Sequence, residues 1–252
     1  SHSNYSLHIK ESNLIDLDLV FVVDLGADDI GAFFHRLSLL HAIEEHGVQV
    51  INSSEAFLKM RNKAECMRHL QRAGISIPET LITESIEEAA DFVKHNNPCV
   101  LKPITGFGGL GVQLIERQFD LDNISDFLKH HSRMFGKGAF LLQQYIRNPG
   151  YDIRALVIND KVVGTMQRVA TQGIVTNIHS GGIPRKNDIN VERIAVAATK
   201  AVNGHLVGVD IIPDMSGDFW VLEVNATPGW NGLQSVSEID ITDYIASWLV
   251  GF

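Results

Sequence analysis

Asp210 closes the apolar run Leu206–Val209, and Glu223 and Asn225 stand two apart at the end of Phe219–Asn225. Alternate residues of a strand share a face, so Glu223 and Asn225 point the same way. A hairpin centred between Ser216 and Gly217 sets Asp210 opposite Glu223. Two carboxylates that close repel, and one takes up a proton unless a cation lies between them. Asp, Glu and Asn oxygens are hard ligands suited to Mg2+, an ion that commonly also binds substrate phosphates. Solvated surface carboxylates are the plainer reading, and the strongly apolar flanks speak against it.

The second chemical feature is Lys102-Pro-Ile-Thr-Gly106-Phe-Gly108-Gly109-Leu-Gly111. Gly106, Gly108 and Gly111 match the dinucleotide spacing. Such a loop must open a helix whose N-terminus holds pyrophosphate, whereas Val112-Gln-Leu-Ile115 alternates like a strand. A strand–glycine loop–strand instead suits a flap whose backbone N–H groups reach anionic oxygens. Lys102 would add a fixed positive charge, and a glycine-rich hairpin without a ligand stays open as the alternative. Flap and carboxylate hairpin together point to a magnesium nucleoside triphosphate.

The elements that must position these groups are readable from periodicity and punctuation. Leu19–Val23 is a short β-branched strand, Ala32–Gly47 a helix, and Val48–Ile51 the next strand. Asn52 with Glu55 forms a capping arrangement for a helix ending at Gly74. Pro78–Ile82 is a strand, and Ser85 with Glu88 caps a helix to about His95. Cys99–Lys102 and Gly111–Glu116 are strands around the glycine loop, then a helix near Leu121–Met134 and a strand Ala139–Tyr145. Ile153–Ile158 and Lys161–Gln167 flank a tight Asn159-Asp160 turn. A helix over Val191–Asn203, the carboxylate hairpin and a helix Ile241–Leu249 complete the chain. An α/β beginning gives way to an α+β body. Tyr5–Ile9 is the one earlier strand candidate, so the natural protein is expected to begin upstream.

The 252 residues carry 21 basic and 30 acidic side chains, a net charge of −9. That balance argues against a protein whose main task is gripping nucleic-acid phosphate. A length of this order suggests one or two intimately packed domains. No apolar run approaches the roughly 18 residues needed to cross a bilayer, so no membrane partner is expected. Cys66 and Cys99 are the only cysteines. They read as buried and inert in a reducing compartment, with the cytoplasm as the expected address.

The ordered motifs Arg61-Asn-Lys63, Val100-Leu-Lys102-Pro with Gly106–Gly111, Leu142-Gln-Gln-Tyr-Ile146 and Asp152-Ile-Arg154 resemble the ATP-grasp superfamily in its RimK-like branch of amino-acid ligases. Asn177-Ile-His179-Ser-Gly181-Gly182, Gly208-Val-Asp210 and Glu223-Val-Asn225-Ala-Thr-Pro-Gly229 continue the resemblance, which runs from about Leu19 to the C-terminus. It implies an α/β and α+β chain in which two α+β subdomains hold the nucleotide. Residues 1–55 would form a partial N-terminal α/β subdomain and 56–252 the ATP-grasp domain, with a lid at about 77–146.

By the same resemblance Lys63 and Lys102, with Gly106, Gly108, Gly109 and Gly111, would contact the ATP phosphates. Gln143, Gln144, Tyr145 and Ile146 would hold adenine, largely through backbone groups. Asp210, Glu223 and Asn225 would bind Mg2+, with Mn2+ able to substitute. Arg154 and Arg168 would neutralise the transferring phosphoryl group, with Asp152 orienting Arg154, and Asn177 and His179 would face the reaction centre. Plainer readings are a solvated basic helix face for Lys63, a surface ion pair for Arg168 and a hydrogen-bonded surface histidine for His179.

The implied activity is ATP-dependent amide formation through an acyl phosphate, joining an amino acid to a small-molecule carboxylate acceptor. The loop Thr171–Thr176 lacks the Arg found in ribosomal-protein glutamate ligases. The ending Ala226-Thr-Pro-Gly-Trp230 is closer to relatives that extend pterin-type coenzymes with glutamate. Ribosomal-protein glutamylation, a lysine-biosynthesis or dipeptide ligase, and a nucleotide-binding regulatory module are the rival readings. Family relatives pair as dimers or tetramers, which leaves a homo-oligomer open.

Overall fold

The computed structural model describes residues 8–9, 12–26, 29–104, 110–116, 123–135, 138–171, 173–178 and 181–251. The N-terminal part contains β1 (His8–Ile9), β2 (Ser12–Asn13), β3 (Leu19–Phe21), α1 (Ile30–Glu45), β4 (Gln49–Ile51), α2 (Ser54–Arg61) and α3 (Lys63–Arg72). Next come β5 (Thr80–Thr83), α4 (Ile86–His95), β6 (Cys99–Lys102), β7 (Gln113–Ile115), α5 (Ile124–Phe135) and β8 (Phe140–Gln144). The remainder is β9 (Tyr151–Ile158), β10 (Lys161–Val169), β11 (Ile183–Lys186), α6 (Glu192–Ala201), β12 (Leu206–Pro213), β13 (Phe219–Asn225), α7 (Asn231–Gln234) and α8 (Ile241–Val250).

Period-two alternation builds the central antiparallel sheet, ordered β11-β10-β9-β12-β13. Odd positions of β9 and β12 (Ile153, Ala155, Val157, Val207, Val209, Ile211) are buried with residues of α1, α2, α3 and α6. On the other face Leu156, Ile158, Met166 and Leu206 pack with Leu233, Ile241 and Ile245 of α7 and α8. By strand parity that second face also carries Asp152, Arg154, Arg168 and Asp210. One sheet face is therefore apolar at one end and charged at the other.

A second antiparallel sheet, β5-β8-β6-β7, has its own core. Cys99, Leu101, Phe140 and Leu142 pack with Ala89, Ala90 and Val93 of α4 and Leu128 of α5. Alternation then turns Val100 and Lys102 of β6 and Gln143 of β8 to the opposite side, toward the central sheet. The short parallel pair β3-β4, linked by α1, lies at the N-terminal end.

Two expectations are corrected. The helix expected from Asn52 to Gly74 is two helices, α2 and α3, separated at Asn62. Ser53, not Asn52, caps the first, its Oγ accepting from Ala56 N at 3.2 Å. Asn52 is 1% exposed, and its amide donates to the carbonyls of Leu206 (2.7 Å) and Ala226 (2.8 Å). It accepts from the N–H groups of His205 (2.7 Å) and Leu206 (3.0 Å). A buried amide with both donors and its acceptor engaged joins β4 to β12 and is unavailable as a cap.

The carboxylate hairpin also turns about Ser216 itself, half a residue off the expected centre. Pairing runs Pro213–Phe219, Ile212–Trp220 and Ile211–Val221, then skips Leu222 before Asp210 meets Glu223. The turn is tied by Asp214, whose Oδ1 accepts from Ser216 N (2.8 Å) and Asp218 N (2.9 Å), with Gly217 at φ +90°. The expected Asp210–Glu223 opposition is present because the bulge at Leu222 restores it.

Cys66 and Cys99 are buried, and burial pushes both thiols up to about 12, which suits inert packing residues. Among the described residues no helix is long and apolar enough to cross a membrane.

Candidate active site

The inward side of the β5–β8 sheet and the charged end of the central sheet enclose a cleft of about 920 Å³ that opens to solvent. Val100, Lys102, Gln143 and the segment Gln144–Ile146 line one wall. Asp152, Arg168, Asp210, Leu222 and Glu223 line the other, with Lys63 and Asn177 at the edge. The mixed lining suits a ligand with an apolar part and an anionic part.

Cross-strand register decides who pairs with whom on the charged wall. Arg168 of β10 lies opposite Asp152 of β9, and Arg154 of β9 opposite Asp210 of β12. Arg168 Nε donates to Asp152 Oδ1 at 2.8 Å, and its Nη2 lies 2.8 Å from Asp210 Oδ2. Arg154 forks onto Asp210, its Nη2 donating to Oδ2 at 3.1 Å. Asp152 therefore holds Arg168, correcting the expectation that it orients Arg154: neighbours two apart on one strand lie side by side, while opposed residues meet. The surface-ion-pair reading of Arg168 also fails, since its side chain is 3% exposed.

Burial by itself would raise the Asp210 pKa, but the Arg154 and Arg168 guanidiniums overcome it and hold the carboxyl well below the usual range. For Arg168 burial opposes the charge, and Asp210 and Asp152 more than restore it. Gly208 makes room for this network: a Cβ there would stand 2.9 Å from both Arg154 Nη1 and Pro228 Cβ.

Asn177 Oδ1 accepts from Arg168 Nη1 at 3.0 Å, and Thr176 Oγ1 donates to Asp152 Oδ2 at 2.6 Å. Both sit on the β10–β11 loop, which closes through Gly182 N–H to Asn177 O at 3.0 Å. A Cβ at Gly182 would fall 1.9 Å from Thr176 O, so only glycine permits that closure. Sequence reading missed Thr176; its place beside Asn177 was the available signal. His179 lies outside the described residues.

Lys63 opens α3 and its Nζ lies 3.0 Å from Glu223 Oε1, so this lysine points into the site and does not join a solvated helix face. Lys102 Nζ donates to Gln143 Oε1, while Gln143 Nε2 donates to Thr80 Oγ1 at 3.0 Å. Burial, partly offset by Glu223, lowers the Lys102 ammonium to about 8. The N–H groups of Gln144 and Tyr145 donate to Glu79 O (2.8 Å) and Pro98 O (3.2 Å). Gly111 has φ +76°, and its carbonyl accepts from His131 Nε2 at 2.8 Å. Gly106, Gly108 and Gly109 lie outside the described residues.

Asp210, Glu223 and Asn225 come together as two opposed carboxylates and an amide two residues along the same strand. Among the described residues no cluster of three or more His, Cys, Asp or Glu side chains has metal-binding arrangement. The donor set here is two carboxylates and an amide oxygen, chemistry that fits a hard divalent cation. Asn225 Oδ1 accepts from Thr227 N at 3.0 Å, which fixes its orientation.

A sequence model of the RimK-like ATP-grasp domain matches residues 60–249. The tetrahydromethanopterin:alpha-L-glutamate ligase of Methanocaldococcus jannaschii is 32% identical over 254 residues, 99% of this chain and 84% of that protein. A probable alpha-L-glutamate ligase of Haemophilus influenzae is 36% identical over 217 residues, 84% of this chain and 70% of that one. Among solved structures, the ATP-grasp ligase PsnB complexed with minimal precursor superposes with a TM-score of 0.72 at 23% identity. That match covers 93% of this chain and 78% of PsnB, a likeness of fold.

Proposed function

The chain belongs to the RimK-like ATP-grasp family, and from that premise we propose that it is an ATP-dependent carboxylate–amine ligase adding glutamate to a carboxylate acceptor of the pterin-coenzyme type. The observation that carries the reading is the opposed Asp210–Glu223 pair, with Asn225 beside it, at the charged end of a cleft that also holds Lys63 and Lys102. The names of the relatives support glutamate and the acceptor class.

In this reading residues 77–146 act as the lid, and Gln143–Ile146 receive adenine against Val100 and Leu222. Lys63 and Lys102 draw in the phosphates. Asp210, Glu223 and Asn225 would hold Mg2+, or Mn2+ in its place; the ion would neutralise phosphate charge. An acceptor carboxylate oxygen attacks the γ-phosphorus, and ADP leaves as the acyl phosphate forms. The ammonium of glutamate gives up a proton to solvent, and its nitrogen then attacks the acyl carbon. The tetrahedral intermediate collapses to an amide and phosphate. Protein groups perform little covalent chemistry here; Arg154, Arg168 and Asn177 position and neutralise. The cytoplasm is the proposed compartment, resting on two free buried thiols.

Thermal unfolding tests the nucleotide site. Magnesium-ATP at about 100 times its dissociation constant adds roughly 2.7 kcal/mol, raising the midpoint by about 5–10 °C for a chain of this size. The rise is expected to vanish with chelator and to be absent with NADH; ADP release should then require both glutamate and acceptor. No response to ATP, or one indifferent to chelator, counts against the reading.

The Lys102 ammonium makes nucleotide affinity pH-dependent. The charge is present below about 8 and lost above it, so affinity falls as pH rises through that value. The fall approaches about tenfold per pH unit. Dissociation constants at pH 7 and 9 should diverge in the native protein and run level in Lys102→Met; parallel behaviour would remove Lys102 from the phosphates.

A further inference from the structure

A second pocket adjoins the nucleotide cleft at the carboxylate pair. The two share Lys63, Asn177, Asp210 and Glu223, so whatever enters the second pocket reaches the reacting end of the first. Arg154 and the segment 225–227 add to the second pocket from the central sheet, and the N-terminal elements supply the rest: Asp24 and Leu25 after β3, Phe33 of α1, and Phe57, Met60 and Arg61 of α2.

The charges in this pocket are unequally used. Lys63 pairs with Glu223 and Arg154 with Asp210. The Arg61 side chain makes no hydrogen bond or ion pair among the described residues; its guanidinium lies over the Phe33 ring, 5.7 Å from the centroid. A guanidinium over an aromatic face spends none of its N–H donors there, and its fork stays open to a carboxylate, which it can bind bidentately. Asp24 brings the opposite charge, its Oδ1 accepting from Gly26 N at 2.9 Å and its carboxylate otherwise exposed. One open cation and one exposed anion in a pocket with an apolar floor of Leu25, Phe57 and Met60 match the carboxylate and the ammonium of a small zwitterion, an amino acid.

We infer that this second pocket is the subsite for the incoming amino acid, with Arg61 gripping a non-reacting carboxylate of glutamate and Asp24 facing its ammonium. The inference rests on the ligase reading above and deepens it. It places the amine beside the shared residues, where the two pockets meet. A terminal carboxylate of the acceptor has the same chemistry as that of glutamate, so the experiment must separate the two.

Steady-state ADP release by the whole chain, with glutamate and acceptor varied in turn, does so. Arg61→Gln is expected to raise the KM for glutamate by on the order of 10–100-fold, the loss of a charge-assisted bidentate contact. The KM values for ATP and acceptor should stay within about twofold, and Arg61→Lys should recover part of the loss. The midpoint rise with magnesium-ATP should persist in the variant, showing that the fold and nucleotide site survive. An unchanged glutamate KM, or a rise in acceptor KM instead, overturns the assignment. If the native protein releases no ADP with glutamate and acceptor, the ligase reading itself fails, and this inference with it.

Discussion

Glu223→Ala is expected to cut turnover by about 10²–10³-fold while the protein still folds. Glu223 is the half of the opposed pair with the weaker structural role: its side chain is 35% exposed and its partner is the single ammonium of Lys63. Removing an ion pair of that exposure costs about 1 kcal/mol or less. The loss should therefore appear in kcat, with a melting midpoint within a few degrees of the native value. Single-turnover ADP release alongside a thermal melt makes the comparison, and full activity in the variant would defeat the assignment of Glu223 to the metal.

Arg168→Met should show the reverse balance, with stability lost together with activity. Arg168 is 3% exposed and touches both Asp152 and Asp210. Removing it leaves buried carboxylate charge short of a partner, a change worth about 3–5 kcal/mol. For a chain of this size that is a midpoint drop of roughly 6–20 °C. The pH dependence separates charge from packing. In the native protein the depressed Asp210 contributes stability above the ordinary carboxylate pKa and loses it as pH falls. In the variant a carboxyl with a raised pKa is easier to bury once protonated, so the deficit should shrink toward acid. Urea midpoints at pH 7.5 and 5 check this: a deficit equal at both would mean that lost packing, not unpaired charge, explains it.

Legibility followed the range of the interactions. Ile153–Ile158, Lys161–Gln167 and the carboxylate strands were placed within a residue or two because β9 and β12 are short apolar runs buried along nearly their whole length, and the strands paired with them end at turn residues close in sequence. The Ser85 cap was readable because its partner, Glu88 N–H, is three residues away. Asn52 misled for the opposite reason. Its partners, Leu206 and Ala226, are more than 150 positions distant, and nothing local distinguishes such an amide from a cap. In the site, Asp210, Glu223 and Asn225 declared themselves by type and spacing. The exchange of partners between Asp152, Arg154, Arg168 and Asp210 depends on which strands adjoin in the sheet. Arg61 stood in the Arg61-Asn-Lys63 motif with no role of its own until Phe33 and Asp24 were brought to the same pocket by the fold.

The unpaired Leu222 makes the β12–β13 ladder one residue longer on one side than it needs to be. Val221 and Ile211 are opposed just before it, and Glu223 and Asp210 just after. Excising Leu222 would thus heal the ladder without turning any flanking side chain over: the two acidic groups would still confront each other. What would vanish is the apolar side chain that Leu222 lends to the nucleotide cleft. Chain length at this point and residue identity at the next are independent controls, so indels there can retune the grip on the base while the acidic pair keeps its opposition.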